Sequence, residues 1–287
     1  MGFNRMPGKD VRAPVNLVVM QVKGYVMKRN SHICLKILSI ALLLIFGITS
    51  ANAQTAQQVA KKAFDSTVLL VMEDANGQPL SLGSFFFVSN GEIASNLHVV
   101  EGAVRGYAKL VGKKRKYEIE AIIAVDPDRD LVVLKISGST APALALGDSD
   151  AVQVGESVYA VGNPKGLEGT FSQGIVNSIR DIGSDKLLQI TAAISPGSSG
   201  GPVMNDKGEV IGVSVAKFRG GQNLNFAIPS IYLKTLLGKV GSTKPLAQIK
   251  PSKEKSILAD LGGKSTEAVV VENLVWDCKW FIGGDFS

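Results

Sequence analysis

The sequence predicts an all-β fold, barrels or a sandwich, with short flanking helices. Two observations carry this. Residues 66–228 break into short β-rich runs separated by Gly, Asn, Asp and Pro, at regular spacing. The composition also suits a globular protein with a sizeable core: 287 residues, 45% hydrophobic and 20% charged, with 31 glycines and 11 prolines to make turns.

The elements follow in chain order. Residues 54–64 (QTAQQVAKKAF) contain helix formers without Gly or Pro and predict a short amphipathic helix. Six strand-like runs come next: 66–73, 81–89, 92–96, 105–111, 116–125 and 131–136. A second series covers 156–163, 169–179, 186–193, 209–217 and 223–228. The Pro/Gly/Asp-rich stretch 138–150 is a natural seam between them, dividing the domain into parts at about 65–137 and 151–229. Pro229 is placed to be the first residue of a helix ending at Gly241. Residues 241–256 are rich in Lys, Ser and Pro and read as a linker. Residues 257–287 predict a short β segment, with one or two strands in 267–281. A lone hairpin is marginal in water. These strands either pack on the barrels or open a truncated second β domain, and the second is expected.

Charge separates the N-terminus from the rest. Residues 1–53 hold seven Lys or Arg and a single acid, Asp10, whereas 54–287 carry 24 basic and 24 acidic residues. The body is neutral, so nothing in its composition calls for nucleic acid. Residues 27–53 have the layout of a secretory signal peptide: basic Lys28-Arg29, an apolar run 37–48, then Ala51 and Ala53 before a cleavage site after Ala53. The apolar run spans about 18 Å as a helix, short of the roughly 30 Å hydrocarbon core, so cleavage rather than a stable membrane span is expected. The mature chain would be periplasmic or secreted. Residues 1–26, ahead of the better start Met27, read as a mis-assigned extension. Cys34 falls in the signal, leaving Cys278 alone in the mature chain, which must be stable without an internal disulfide.

The chemistry concentrates in three places. Of two histidines, His32 lies in the signal, so any imidazole base must be His98, just after the strand 92–96. The string ISPGSSGGPV (194–203) flanks Ser199 with Gly197, Gly200 and Gly201. Glycines allow a sharp turn that aims successive N–H groups at one point, as an oxyanion hole requires. The string fits both the G-x-S-x-G elbow of α/β-hydrolases and the GxSGG loop of trypsin-like proteases. The elbow fold needs a histidine after the serine, and none follows Ser199. The double-barrel order His, Asp, Ser fits His98. The acid then lies between 98 and 199. Asp130 immediately precedes an apolar strand that could bury its carboxylate, while Asp126 and Asp128 fit a turn and Asp148 and Asp150 the seam.

SNLHVV, DRDLVVLKI, SPGSSGGPV and NFAIPS, in this order and spacing, resemble the HtrA/Deg branch of the trypsin-like serine peptidases over residues 57–240. The resemblance implies two six-stranded antiparallel β-barrels with the active site in the cleft between them, and no cofactor or metal. It implies a serine endopeptidase with Ser199 as nucleophile, His98 as base and Asp130 as its orienting acid. The loop Gly197, Ser198 and Ser199 would form the oxyanion hole. Aligned on the nucleophile loop, Ala193 would form the base of the substrate pocket and 213–216, with Val215 and Ala216, its walls, with Phe226 nearby. No charge marks that pocket, so a small or medium aliphatic residue before the cut is expected, with loose discrimination. That suits unfolded or damaged polypeptide substrates. The other readings are a narrow processing protease with the same triad and a non-catalytic chaperone or binding scaffold. A homotrimer formed through 54–64 is a further implication of the resemblance. Two departures stand out. Ser198 replaces the usual Asn or Asp before the nucleophile, which removes a zymogen-type carboxylate switch. Residues 242–287 show no recognisable PDZ module.

Overall fold

The computed structural model describes residues 36, 54–163, 169–215, 225–239, 241 and 243–249. The chain divides into two units, Met1–Asn52 and Ala53–Ser287, and the second carries the fold. Apart from Lys36, the expected signal segment, the extension before it and the β segment 257–287 with Cys278 lie outside the described residues.

Helix α1 (Ala56–Ser66) starts at a capping box. Thr55 Oγ1 accepts the Gln58 N–H at 3.3 Å while Gln58 Oε1 accepts the Thr55 N–H at 2.9 Å. Val59 and Ala63, four residues apart on one face, are fully buried. The helix runs two residues beyond its expected end, to the start of the apolar run. Six strands follow: β1 (Thr67–Glu73), β2 (Pro79–Ser89), β3 (Glu92–Asn96), β4 (Arg105–Leu110), β5 (Lys116–Asp126) and β6 (Leu131–Ile136). They close in the order β1-β2-β3-β6-β5-β4. Strands β7 (Ser157–Gly162), β8 (Thr170–Ile182), β9 (Asp185–Ile190), β10 (Pro202–Met204), β11 (Val210–Val215) and β12 (Asn225–Pro229) close as β10-β11-β12-β9-β8-β7. All pairings are antiparallel. The expected double barrel is therefore present, and the sandwich alternative falls away.

The apolar runs make sense once both faces of a strand are seen to be buried. Phe85 and Phe87 point into the first barrel beside Val68, Leu70, Ile93 and Leu134. Phe86, between them, faces outward into a second cluster with Ala94, Val133, Val161, Val213, Phe226 and Ile228. That cluster cements the two barrels, and Val59 of α1 and Leu233 of α2 (Ser230–Leu237) join it. The interior of the second barrel holds Val158, Val176, Ile190, Val203 and Ile211.

Several elements differ from expectation. β10 is three residues long within a Gly-rich string, with Pro202 at its first position, where a missing N–H is tolerated. β9 ends at Ile190 because the Thr191 side chain replaces its carbonyl in the ladder: the Thr191 N–H still donates to the Ile175 carbonyl at 3.0 Å, but the Ile175 N–H goes to Thr191 Oγ1 at 2.9 Å. α2 begins at Ser230, with Pro229 as an extended cap, and ends at Leu237 rather than near Gly241. Residues 243–249, inside the stretch expected to be a linker, lie against the first barrel. Lys244 and Ile122 exchange backbone hydrogen bonds of 2.7 and 2.9 Å, and Leu246 is buried in the barrel core. The seam is likewise held to both barrels, by Leu144 N–H to the Phe87 carbonyl and by Leu146 bridging Val210. Among the described residues no helix is long and apolar enough to cross a membrane.

Candidate active site

His98 sits on a short 3₁₀ turn, Leu97–Val99, directly after β3. Asp130 closes the turn between β5 and β6, the strand that pairs with β3. It is the single non-glycine residue with positive φ among those described, at +54°. Asp tolerates this left-handed conformation better than most residues, though at a cost of about 1–2 kcal/mol. Four hydrogen bonds to the β3 end offset it. The Asp130 carbonyl accepts the Leu97 N–H at 3.0 Å and Asn96 Nδ2–H at 3.1 Å. Its Oδ1 accepts the His98 N–H at 2.8 Å, and its Oδ2 lies 2.6 Å from His98 Nδ1. The carboxylate is nearly buried at 6% exposure, and the imidazole keeps 26%. This geometry selects the tautomer with hydrogen on Nδ1, leaving Nε2 as the acceptor.

The turn around Asp130 is braced from the second barrel. The Arg129 guanidinium bonds Asp126 Oδ2 at 3.0 Å in its own turn and Asp185 Oδ1 at 2.8 Å at the start of β9. Its centre lies 4.6 Å from the Tyr232 ring of α2. Burial works to lower the Arg129 pKa, but the hydrogen bonds and charges of Asp126 and Asp185 outweigh it, so the net shift is upward.

Ser199 comes from the loop between β9 and β10 and is buried. Gly197 and Gly200 adopt φ of +92° and +84°. A Cβ at Gly200 would fall 1.8 Å from Ser95 Oγ and 2.3 Å from the Ser84 carbonyl, so only glycine lets this loop approach the first barrel. The loop is tied throughout. The Ser198 N–H donates to the Ser195 carbonyl at 2.8 Å, and the Ser198 carbonyl accepts Ser214 Oγ–H at 2.6 Å. Of the three expected oxyanion-loop residues, Ser198 therefore has its N–H turned into the loop. The Gly197 N–H has no acceptor among the described residues.

The expected pocket residues do not form one group. Val215 and Phe226 face each other across β11 and β12 and are buried in the cluster between the barrels. Ala193 instead borders a cavity of about 80 Å³ with Ala160, Gly162, Thr170, Ser195 and Ser198, among others. Its carbonyl accepts Ser172 Oγ–H at 2.8 Å. Ala216 lies outside the described residues. Sequence reasoning missed Ser84, Asn163 and Ser214, all buried and all bonded around the nucleophile loop. The available signal was a hydroxyl set directly against apolar strand residues, Ser84 before Phe85–Phe87 in SLGSFFFVS and Ser214 between Val213 and Val215 in EVIGVSVAK. No group of three or more His, Cys, Asp or Glu is placed to hold a metal among the described residues.

Two closed six-stranded antiparallel barrels, one supplying the His98–Asp130 pair and the other the glycine-rich Ser199 loop, define the trypsin-like double barrel. The comparisons agree. The family model described as a trypsin-like peptidase domain matches residues 83–213. A "Putative serine protease HhoB" from Synechocystis sp. is 39% identical over 153 residues, covering 50% of this chain and 36% of the relative. A "Probable periplasmic serine endoprotease DegP-like" from Chlamydia trachomatis is 37% identical over 167 residues, covering 55% and 33%. Among solved structures, "Crystal structure of Deg5" has a TM-score of 0.54 and 33% identity over 62% of this chain and 90% of that one. "HtrA-type protease AlgW with tripeptide" has a TM-score of 0.57 and 31% identity, covering 64% and 62%. The chain belongs to the trypsin-like serine peptidases, in their HtrA/Deg branch. It spans about a third of the length of these two curated relatives.

Proposed function

We propose that this chain is an exported serine endopeptidase that cleaves unfolded or damaged polypeptides after small or medium aliphatic residues. The observation that carries the reading is the double grip of Asp130 on His98, through the backbone N–H at 2.8 Å and Nδ1 at 2.6 Å. That grip supports His98, the only histidine among the described residues, as the base, held in position and in one tautomer. Ser199 Oγ attacks the scissile carbonyl carbon as its proton passes to His98 Nε2. Asp130 stabilises the resulting imidazolium without taking its proton. The N–H groups of Gly197 and Ser199 donate to the oxyanion. The tetrahedral intermediate then breaks its C–N bond, and Nε2–H protonates the leaving amine. Water, activated by the same imidazole, hydrolyses the acyl-enzyme and restores Ser199.

Export rests on the signal-like layout of 27–53, and a periplasmic location on the likeness to relatives named as periplasmic. The preference for aliphatic residues rests on the small, uncharged cavity that Ala193 borders with Ala160, Gly162 and Thr170. The test is cleavage of casein by the full chain, expressed with export and purified, beside its Ser199→Ala variant. The parent is expected to cleave and the variant to lose at least about 10³-fold in turnover. Two folded proteins that both fail to cleave casein and a panel of unfolded substrates would overturn the proposal.

A further inference from the structure

The nucleophile loop belongs to the second barrel, while His98 and Asp130 belong to the first. Catalysis across that junction demands something that locks one to the other. Ser84, a buried residue of β2, bonds the nucleophile loop at two points. Its N–H donates to the Ser199 carbonyl at 2.8 Å. Its hydroxyl donates to the Gly197 carbonyl at 2.8 Å. The same oxygen accepts the Asn163 N–H at 2.8 Å, with Asn163 Nδ2 at 3.3 Å. These donors occupy its lone pairs, so its one proton is committed to Gly197. Ser84 is in turn held by Ser95, whose Oγ–H donates to the Ser84 carbonyl at 2.9 Å. Asn163 Nδ2 is anchored on the Val68 carbonyl of β1 at 3.1 Å.

Gly197 is the residue such a tie is needed for. Its φ of +92° is open to glycine alone, and glycine turns between conformations at little cost. The Ser198 carbonyl, by contrast, is fixed within the second barrel by Ser214 Oγ–H and the Gly201 N–H. Because a trans peptide directs C=O and N–H oppositely, that pair aims the Ser199 N–H. The Gly197 carbonyl takes its side-chain donor from Ser84, across the junction. The Ser84 bond fixes the Gly197–Ser198 peptide, whose N–H is held by the Ser195 carbonyl at 2.8 Å, and the Gly197 N–H is set from that plane through the dihedrals of Gly197 itself.

We propose that Ser84 is the positioning residue that holds Gly197 in its oxyanion-binding orientation and couples the Ser199 loop to the barrel bearing His98. The proposal rests on the serine-endopeptidase reading above. It predicts that losing the hydroxyl costs turnover rather than substrate affinity.

The experiment compares the full chain with Ser84→Ala and Ser84→Cys, using active-site titration with a fluorophosphonate, steady-state kinetics on an unstructured peptide, and hydrogen exchange of residues 195–201. Ser84→Ala should lower kcat per titrated site about 10²-fold, the range for a lost oxyanion donor. KM should stay within about threefold, since ground-state binding does not use the oxyanion donors. The amides of 195–201 should exchange faster, with the barrel strands unchanged. Ser84→Cys, similar in size and a weaker donor, should fall between the two. An unchanged kcat per titrated site, with only the titratable fraction reduced, would assign Ser84 a merely structural part and overturn the proposal. A parent chain without turnover would sink the endopeptidase reading instead. Exchange then decides on Ser84 by itself, because unaltered protection of 195–201 in both variants refutes the tie. If Ser84→Ala fails to fold, Ser84→Cys at parental kcat and parental exchange refutes it equally.

Discussion

Replacing Asp130 by Asn isolates what the carboxylate does from what the backbone does. Asn accepts the left-handed conformation at φ +54° about as readily as Asp, so the turn and its carbonyl bonds to Leu97 and Asn96 should persist. The carboxylate presents two acceptors to His98, one 2.8 Å from the backbone N–H and one 2.6 Å from Nδ1. An amide offers one acceptor and one donor. With its oxygen on the backbone N–H, its NH₂ faces Nδ1 and turns that nitrogen into an acceptor. The remaining proton then sits on Nε2, where it blocks acceptance of the serine proton. The imidazolium also loses its buried counter-charge. Together these should cost about 10⁴-fold in kcat, or about 5.4 kcal/mol, while the melting temperature stays close to the parent. The assay is kcat on an unstructured peptide at pH 7 to 8, with thermal unfolding by circular dichroism alongside. A folded Asp130→Asn chain keeping more than a tenth of parental kcat would refute the tautomer argument.

Two further outcomes follow from the packing and the titrating groups. Leu246→Ala should destabilise the chain by about 2–4 kcal/mol in urea unfolding, because Leu246 is 5% exposed in the core of the first barrel; a loss under about 0.5 kcal/mol would mean the 243–249 segment does not pack there. Burial raises the Tyr232 phenol above its ordinary value of 10.0, against the Lys186 N–H, which donates to it and lowers it. A raised folded pKa makes that contribution complete below pH 10 and lost as the pH climbs through the folded value. Tyr232→Phe should therefore flatten the decline in urea midpoint above about pH 10, and an identical decline in both proteins would exclude the phenol as a source.

Much of the architecture could be read from sequence because β-rich runs and turn residues are local signals. The runs around Val68, Phe86, Ile93 and Val132 announce strands, and the glycines between them announce turns. What escaped were elements whose reason lies elsewhere in the chain. β10 is too short to show a period, and it exists because Val203 and Met204 pair with β7 and β11. Leu246 sits in a polar stretch and becomes core only when the middle of β5 offers Ile122 to nearby Lys244.

The site divides in the same way. The order His98, Asp130, Ser199 and the glycines around the serine are properties of the chain itself, because nucleophile loops need particular residues at fixed local offsets. The family resemblance was legible for the same reason. The grip of Asp130 on His98 spans 32 residues, and the tie from Ser84 to Gly197 spans 113. No sequence period encodes such pairings. They arise where closing each six-stranded barrel brings distant strand ends together and the Phe86 face of one barrel seats on the other. Sequence alone nominated the groups expected to react. The tertiary structure decided how each is held, because a hydrogen bond depends on distance and direction in space and not on separation along the chain.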